Sequence, residues 1–511
     1  MHTSSVTHSM SIYPIRLLII GFFAALFFAP AFASAATATK FEVTGWIPYW
    51  RSATGTVDTL PHLDKLTEVN PFVYTLKKDG TLADNGALDQ EPWLSFIAEA
   101  KKKGVRVIPT VMSGDRDLMH KILSNQKSRI ALEDRIAKLV KDNGYDGIDI
   151  DFEFKHAKTK DYFSTFLKGL YQRMGNKWVM CTIESRLPIT DRYFGTEVPK
   201  DAGIYSNDLK QINKYCDRVR IMTYDQQGTD LKLASEAGTR LYAPNGDPAW
   251  IEKVVKLMSK DIKKSKMLIG VPTYGYEYDV TTYEGGQHVY DILFTFNPGY
   301  AVPLAAQYGV TPERAYWGEM AFTYLKNDAA SSTPPVATMS ALTAAAAASQ
   351  FADQNSSNAT YRYVVWHDAQ AVQQKIDLAK KLGLRGISIF KFDGGQDPAI
   401  WGVLAGVKES AAGPSSSAAG ASGAITRGLD VGARGEDVLT LQRILNSDTS
   451  TQVAMSGVGS TGQETTYFGP ATKRALQKFQ IKYGLAKSGD AGYGYVGPKT
   501  RAKLNELRAS L

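Results

Sequence analysis

The chain of 511 residues carries 59 Lys and Arg against 51 Asp and Glu, a formal charge of +8. That length exceeds what one hydrophobic core organises, so two or more domains are expected. With 44% hydrophobic and 22% charged residues, composition excludes a disordered chain and a multi-span membrane protein. The positive surplus is spread along the chain, and no helix-turn-helix, zinc-finger or aromatic RNA-binding pattern accompanies it, so nucleic acid is not an expected partner.

At the N-terminus Arg16 precedes about a dozen apolar residues at 17 to 28, and the small residues Ala31, Ala33 and Ala35 follow. This is the pattern of a signal peptide over 1 to 35, too short in its apolar part for the ~20 residues that span a bilayer. It predicts a secreted, extracellular protein without stable membrane insertion; an uncleaved anchor is the alternative. Cys181 and Cys216 are too few for a disulfide scaffold or a four-cysteine zinc site. Two buried thiols are expected, with a single bridge as the alternative. The histidines, among them His62, His120, His156, His288 and His367, show no ligand spacing, so neither metal nor cofactor is expected.

From 41 to 405, β-rich apolar runs alternate with helical patterns. The runs lie at 43 to 50, 69 to 75, 105 to 112, 145 to 153, 178 to 184, 218 to 224, 267 to 274 and 385 to 392. Eight strands with intervening helices predict an α/β fold, a (β/α)8 TIM barrel. About a hundred residues separate the last two runs, which places an insertion at about 280 to 360. Residues 329 to 335 and the alanine run at 344 to 348 look loose, and Trp366 is read as structural. A flexible linker is expected over 406 to 427, rich in Gly, Ser and Ala. A small all-α module is expected at 428 to 511, where eleven Lys or Arg face seven Asp or Glu. It contains a repeat: Phe468-Gly-Pro-Ala-Thr-Lys-Arg recurs twenty-eight residues later as Val496-Gly-Pro-Lys-Thr-Arg, each with Pro at a helix start. Its first helix is expected at 436 to 446, with Val438, Leu441 and Leu445 as a core stripe.

The chemistry concentrates at 146 to 153, Asp-Gly-Ile-Asp-Ile-Asp-Phe-Glu. In a strand alternate side chains share a face, so Asp149, Asp151 and Glu153 point together and Ile148, Ile150 and Phe152 point away. In a barrel the apolar set meets the helices and the acids line the interior, Glu153 nearest the carboxyl end where barrel active sites lie. Like charges this close raise one another's pKa, so at least one proton is shared. That is how a glutamic acid is kept protonated for general acid catalysis near neutral pH. Asp146 has the opposite parity and is read as structural.

The acidic run resembles the Asp-Gly-x-Asp-x-Asp-x-Glu signature of family 18 glycoside hydrolases. Met222-Thr-Tyr-Asp225, Met112-Ser-Gly114 and Gly270-Val-Pro-Thr-Tyr-Gly275 resemble other strand ends of that family, and the resemblance covers about 41 to 405. It implies a retaining, substrate-assisted mechanism, an exception to the two-carboxylate scheme. Glu153 would then be the acid/base, Asp151 would hold the acetamido N–H, Asp149 would share its proton and Tyr224 would bond the acetamido oxygen. Asp225, Tyr274, Trp46, Phe390 and Glu184 are candidate substrate-binding residues, with core packing open for Trp46 and a rim salt bridge open for Glu184. Where many members place a Trp on strand eight, this chain has Phe390. The tail, with its two Gly-Pro-x-Thr motifs and Phe479-Gln480, resembles peptidoglycan-binding modules, whose binding would fall to a polar groove beside the apolar stripe. Together these imply a monomeric, cell-wall-associated enzyme that cleaves β-1,4 bonds of N-acetylglucosamine-containing glycans, peptidoglycan first and chitin as the alternative. A non-catalytic glycan-binding lectin is the reading from another class, and the intact Glu153 speaks against it.

Overall fold

A computed structural model of the chain describes residues 41 to 325, 350, 352, 354, 358 to 411, and 425 to 508 other than 426, 434, 456 to 458 and 491. The expected leader, residues 412 to 424 of the expected linker and the loose stretches at 329 to 335 and 344 to 348 lie outside the described residues, whereas the expected start of the linker at 406 falls within the helix Ile400–Ala411. Two compact units divide the chain, 1 to 408 and 409 to 511.

The first unit carries fifteen described strands. They are β1 (Glu42–Pro48), β2 (Glu68–Leu76), β3 (Leu82–Asp84), β4 (Arg106–Val107), β5 (Thr110–Ser113), β6 (Gly147–Phe152), β7 (Trp178–Glu184), β8 (Arg218–Met222), β9 (Met267–Pro272), β10 (Gly275–Thr282), β11 (His288–Phe296), β12 (Glu313–Arg314), β13 (Met320–Tyr324), β14 (Ala359–Trp366) and β15 (Gly386–Phe390). Strands β1, β15, β9, β8, β7, β6, β5 and β2 pair in that order, all parallel, and β2 pairs back with β1. This is the closed eight-stranded barrel that the run spacing predicts. The third expected run is broken into β4 and β5 at Pro109, which has no N–H to give to a ladder.

Parity holds on β6. Ile148, Ile150 and Phe152 join the core under the helices, and the Phe152 ring stacks on Phe166, 5.8 Å between centroids, from the helix Lys160–Met174. Burying each such ring contributes roughly 2 kcal/mol. Asp146, outside this alternation, accepts the Val107 N–H at 2.8 Å and ties the foot of β6 to β4.

The insertion is an antiparallel sheet of order β11-β10-β14-β13-β12. It starts at Gly275, three residues after the end of β9 at Pro272, and closes with Trp366, so it is wider than 280 to 360. Gly275 permits this early start: a Cβ there would sit 2.3 Å from the Val365 carbonyl oxygen and 2.4 Å from the Trp366 Cβ. Trp366 is buried, its ring edge-on to Phe322.

The second unit is three helices, Glu436–Asn446, Pro470–Lys482 and Pro498–Arg508, around a core that includes Val438, Leu441 and Leu445. The sequence repeat is a repeat of hydrogen bonds. Gln442 Nε2 donates to the Tyr467 carbonyl and Thr472 Oγ1, and its oxygen accepts the Thr465 N–H. Gln480 does the same with the Tyr495 carbonyl, Thr500 Oγ1 and the Gly494 N–H. Each buried glutamine holds the loop before the next helix.

The expectation of two free thiols is corrected: Cys181, on β7, and Cys216, just before β8, form a disulfide. Neighbouring strands bring their Cα atoms to 5.9 Å, within bonding range. The bond closes a loop with a sequence separation of 35. The double variant Cys181→Ser/Cys216→Ser should therefore lose roughly 3–4 kcal/mol of unfolding free energy. Urea unfolding under non-reducing conditions measures this, and an unchanged midpoint contradicts it.

Candidate active site

The predicted site residues converge toward the carboxyl end of the barrel: Trp46, Asp149 and Asp151 lie within their strands, and Glu153, Glu184, Tyr224, Asp225, Tyr274 and Phe390 at or just past the strand ends. Asp149 lies deepest. Its Oδ1 accepts from Thr182 Oγ1 (2.9 Å), and its Oδ2 from Thr110 Oγ1 (2.8 Å) and Trp46 Nε1 (3.2 Å). The guanidinium of Arg220 stands 2.9 Å from the same Oδ2. Arg220 is buried and also pairs with Glu68, which in turn meets Arg106 at 3.3 Å. An alternating ladder of charge, Arg106, Glu68, Arg220, Asp149, thus rises through the barrel. The sequence reading passed over Arg220 and Glu68, although the parity used on β6 shows them: Arg220 shares a face with Tyr224, as Glu68 does with Phe72.

Asp151 is 4% exposed, and its Oδ1 has no hydrogen-bond partner among the described residues. Burial first, then the charges of Glu153, Asp149 and Glu184, push its pKa well above the carboxylate range. Glu153 follows the strand end and is half-buried. Burial and the Glu184 charge raise its pKa to about 7, with Lys155 opposing.

Lys155 is a second group missed from the sequence. Its ammonium donates to the Phe152 carbonyl, lies 4.5 Å from the Phe163 ring centroid and is 6% exposed. Burial lowers its pKa, against the pull of Glu184, Asp151 and Glu153. Glu184 accepts the Phe154 N–H and the Asn207 amide, both at 2.8 Å. It therefore pins the turn after Glu153, where Phe154 adopts φ +55°.

Tyr224 stacks on Phe390 with centroids 5.8 Å apart. A Cβ on Gly270 would lie 2.6 Å from its ring, so glycine is needed there. Burial and the Asp151 charge raise the pKa of Tyr224, which keeps its hydroxyl protonated. Asp225, at φ +56°, accepts the hydroxyls of Tyr274 and Tyr276. Trp46 is 2% exposed, beneath the site, its indole N–H shared between Asp149 and Thr110. Phe390 meets Trp46, Phe72, Tyr224 and Tyr274 edge-on or stacked and forms the floor. A cleft of about 360 Å³ opens above it, lined also by Trp50, Asn297 and Lys391. No group of three or more His, Cys, Asp or Glu able to hold a metal occurs among the described residues.

The arrangement supplies an acid whose pKa is raised to about 7, a second buried carboxyl whose ionisation is disfavoured, an ion-paired carboxylate below both, and a phenol donor beside them. The family model described as Glycosyl hydrolases family 18 matches residues 44–395, and that described as Putative peptidoglycan binding domain matches 434–504. The chain is 25% identical over 225 residues to the uncharacterized glycosylase YvbX of Bacillus subtilis (strain 168), covering 42% of this chain and 61% of that protein. It thus spans about three fifths of that relative's length. The spore cortex-lytic enzyme SleL of Bacillus cereus superposes with TM-score 0.53 at 18% identity, covering 72% of this chain and 74% of the other. A chitinase from Chromobacterium violaceum ATCC 12472 does so with TM-score 0.52 at 18% identity, covering 72% and 98%. At these identities the two structures share the fold.

The electrostatics predict a measurable dependence. Glu184→Gln keeps an oxygen for the Phe154 N–H but removes the charge that opposes ionisation of Glu153. The Glu153 midpoint should fall from about 7 toward the ordinary glutamate value, stopping short of it because burial persists. Carboxyl ¹³C titration of glutamate-labelled protein reads this; an unmoved midpoint contradicts the coupling.

Proposed function

The chain belongs to family 18 of the glycosyl hydrolases, and from that premise we propose that it hydrolyses β-1,4 bonds of N-acetylglucosamine-containing glycans, peptidoglycan above all, with retention and with help from the substrate's own acetamido group. The observation that carries this reading is Asp151, buried beside Glu153 with an oxygen that has no hydrogen-bond partner among the described residues. In an enzyme with a carboxylate nucleophile the second acid would need to be ionised. Here burial and acidic neighbours disfavour ionisation of the second acid, which favours attack by an atom of the substrate itself. Glu153 donates its proton to the leaving oxygen while the acetamido carbonyl oxygen attacks the anomeric carbon, forming an oxazolinium ion. Asp151 Oδ1 accepts the acetamido N–H, and the Tyr224 hydroxyl donates to the acetamido oxygen. Glu153, now ionised, then takes a proton from the water that opens the ring.

Asp149 helps by holding negative charge near Asp151, its own charge offset by Arg220. Asp225, Tyr274 and Phe390 shape the sugar site, and Glu184 holds the loop that carries the acid. The barrel fold is shared with a cortex-lytic enzyme and a chitinase and does not choose between their substrates. The match of residues 434–504 to a peptidoglycan-binding family favours the wall polymer. The leader pattern at 1 to 35 favours export to reach it.

Glu153→Gln should lower hydrolysis of muramyl glycans and chito-oligosaccharides by about 10²- to 10⁴-fold, the usual worth of a general acid. Product release from sacculi, followed by mass spectrometry, measures it. In the wild type the acid form is the active one, so kcat/KM should fall about tenfold per pH unit above about 7. Full activity in the Gln variant, or a flat profile between pH 6 and 9, would falsify the acid assignment.

Deleting residues 425 to 511 should weaken adsorption to wall sacculi while cleavage of short soluble substrates continues at nearly the full rate. Pelleting assays compare the two proteins, and equal adsorption removes the wall-targeting role.

A further inference from the structure

At the far end of the Phe390 floor the buried carboxylate of Asp393 gathers two cationic side chains. Lys391 Nζ lies 2.6 Å from its Oδ2 and Arg51 Nε 3.9 Å from the same oxygen. Asn297 Nδ2 donates to that oxygen at 3.0 Å, and the Gly395 N–H fills Oδ1 at 2.9 Å. The hydrogen bond and charge of Lys391 outweigh burial and hold Asp393 below the usual carboxylate range, so it stays ionised. Two cations therefore share the one carboxylate of Asp393.

This cluster borders the cleft. Lys391 and Asn297 line it, with the Trp50 ring, 52% exposed, beside them, while the Lys391 and Arg51 side chains keep 18% and 43% exposure. The backbone of Lys391 is fixed on both sides by Thr273 Oγ1, which donates to its carbonyl at 2.7 Å and accepts its N–H at 2.9 Å. The other carboxylate lining the cleft, Asp225, is occupied by two tyrosine hydroxyls and takes no cation. A neutral chitin-like chain gives this charge nothing to pair with. A sugar bearing an acidic substituent does.

We propose that Lys391 and Arg51, organised on Asp393, form a cationic subsite that recognises the carboxylate of an acidic ring substituent: a lactyl ether on the sugar next to the cleaved bond, or a peptide attached through it. The proposal rests on the reading of the protein as an N-acetylglycan hydrolase and adds a means of choosing between neutral and acidic glycans. A charge-assisted contact of this kind supports about tenfold in binding.

The test uses the full chain and three substrates of matched length: chito-oligosaccharide, wall glycan stripped of peptide and carrying free lactyl carboxylates, and wall glycan with its peptides. Lys391→Met should lower the ratio of kcat/KM for acidic over neutral glycan about tenfold, through KM, and Lys391→Arg should restore it. Arg51→Met, on a more exposed side chain, should shift the ratio the same way by less. The loss should shrink as salt rises, since exposed charges are screened. A loss on stripped glycan assigns the lactyl carboxylate; a loss confined to the peptide-bearing glycan assigns the peptide. An unchanged ratio in both Met variants, or a ratio that ignores salt, overturns the subsite while leaving the hydrolase reading intact. A wild type that cleaves none of the three overturns that reading instead.

Discussion

Charge buried inside the barrel is the constraint that the rest of the structure answers. β6 places Asp149 and Asp151 where water does not reach, with Glu153 at their edge, and an isolated carboxylate in such a place costs several kcal/mol. Two different solutions appear along one strand. Asp149 is compensated by Arg220 and by three donors. Asp151 has no ion pair among the described residues, and burial with its acidic neighbours outweighs the pull of Lys155 and pushes its pKa up. The contrast separates the roles: a satisfied anion at the bottom lends charge, and an unsatisfied acid above it keeps an oxygen for a ligand. Arg220 in turn requires Glu68, and Glu68 requires Arg106, so the site's electrostatics are anchored on three further strands. Breaking such a ladder strands a buried charge, which is why its members are expected to fail together.

The upper end of the row depends on turned backbone. Phe154 and Asp225, each one residue past a proposed catalytic group, both have φ near +55°. A side chain at the end of a parallel strand points along the barrel axis only if the chain then leaves sharply. Glu184 holds the first of these turns through the Phe154 N–H, and the Asn245 side chain holds the second by accepting the Asp225 N–H at 2.8 Å. Both supports come from neighbouring segments, so the geometry of the acid and of the phenol is set by packing around the barrel mouth.

Much of this was legible in sequence because period-2 alternation and strand spacing are local. The barrel, the inward acids of β6, the structural part of Asp146 and the first helix of the small module could be read directly. Arg220 could also have been read, since the parity argument applies to β8 unchanged. What could not be read depends on closure. The disulfide arises because β7 and β8 are neighbours in the barrel. Asp393 meets Asn297 across 96 residues, a contact that exists only once the insertion sheet folds back beside β15. The early start of that sheet follows from a close approach at Gly275 that no periodicity announces.

Lys155 shows how finely the balance at the acid is drawn. A buried ammonium close to Glu153, Asp151 and Glu184 would by itself favour three ionised carboxylates. It does not prevail at Asp151, where burial and three acidic neighbours act together, and at Glu153 it only limits the rise caused by burial and Glu184. Its ammonium is held on the Phe152 carbonyl and over the Phe163 ring, without an ion pair to any of the three acids among the described residues. One cation so placed tempers the repulsion of the cluster without neutralising the acid. The rise of Glu153 to about 7 is thus the joint result of burial at the strand end and the negative charge of Glu184, held back by the positive charge of Lys155.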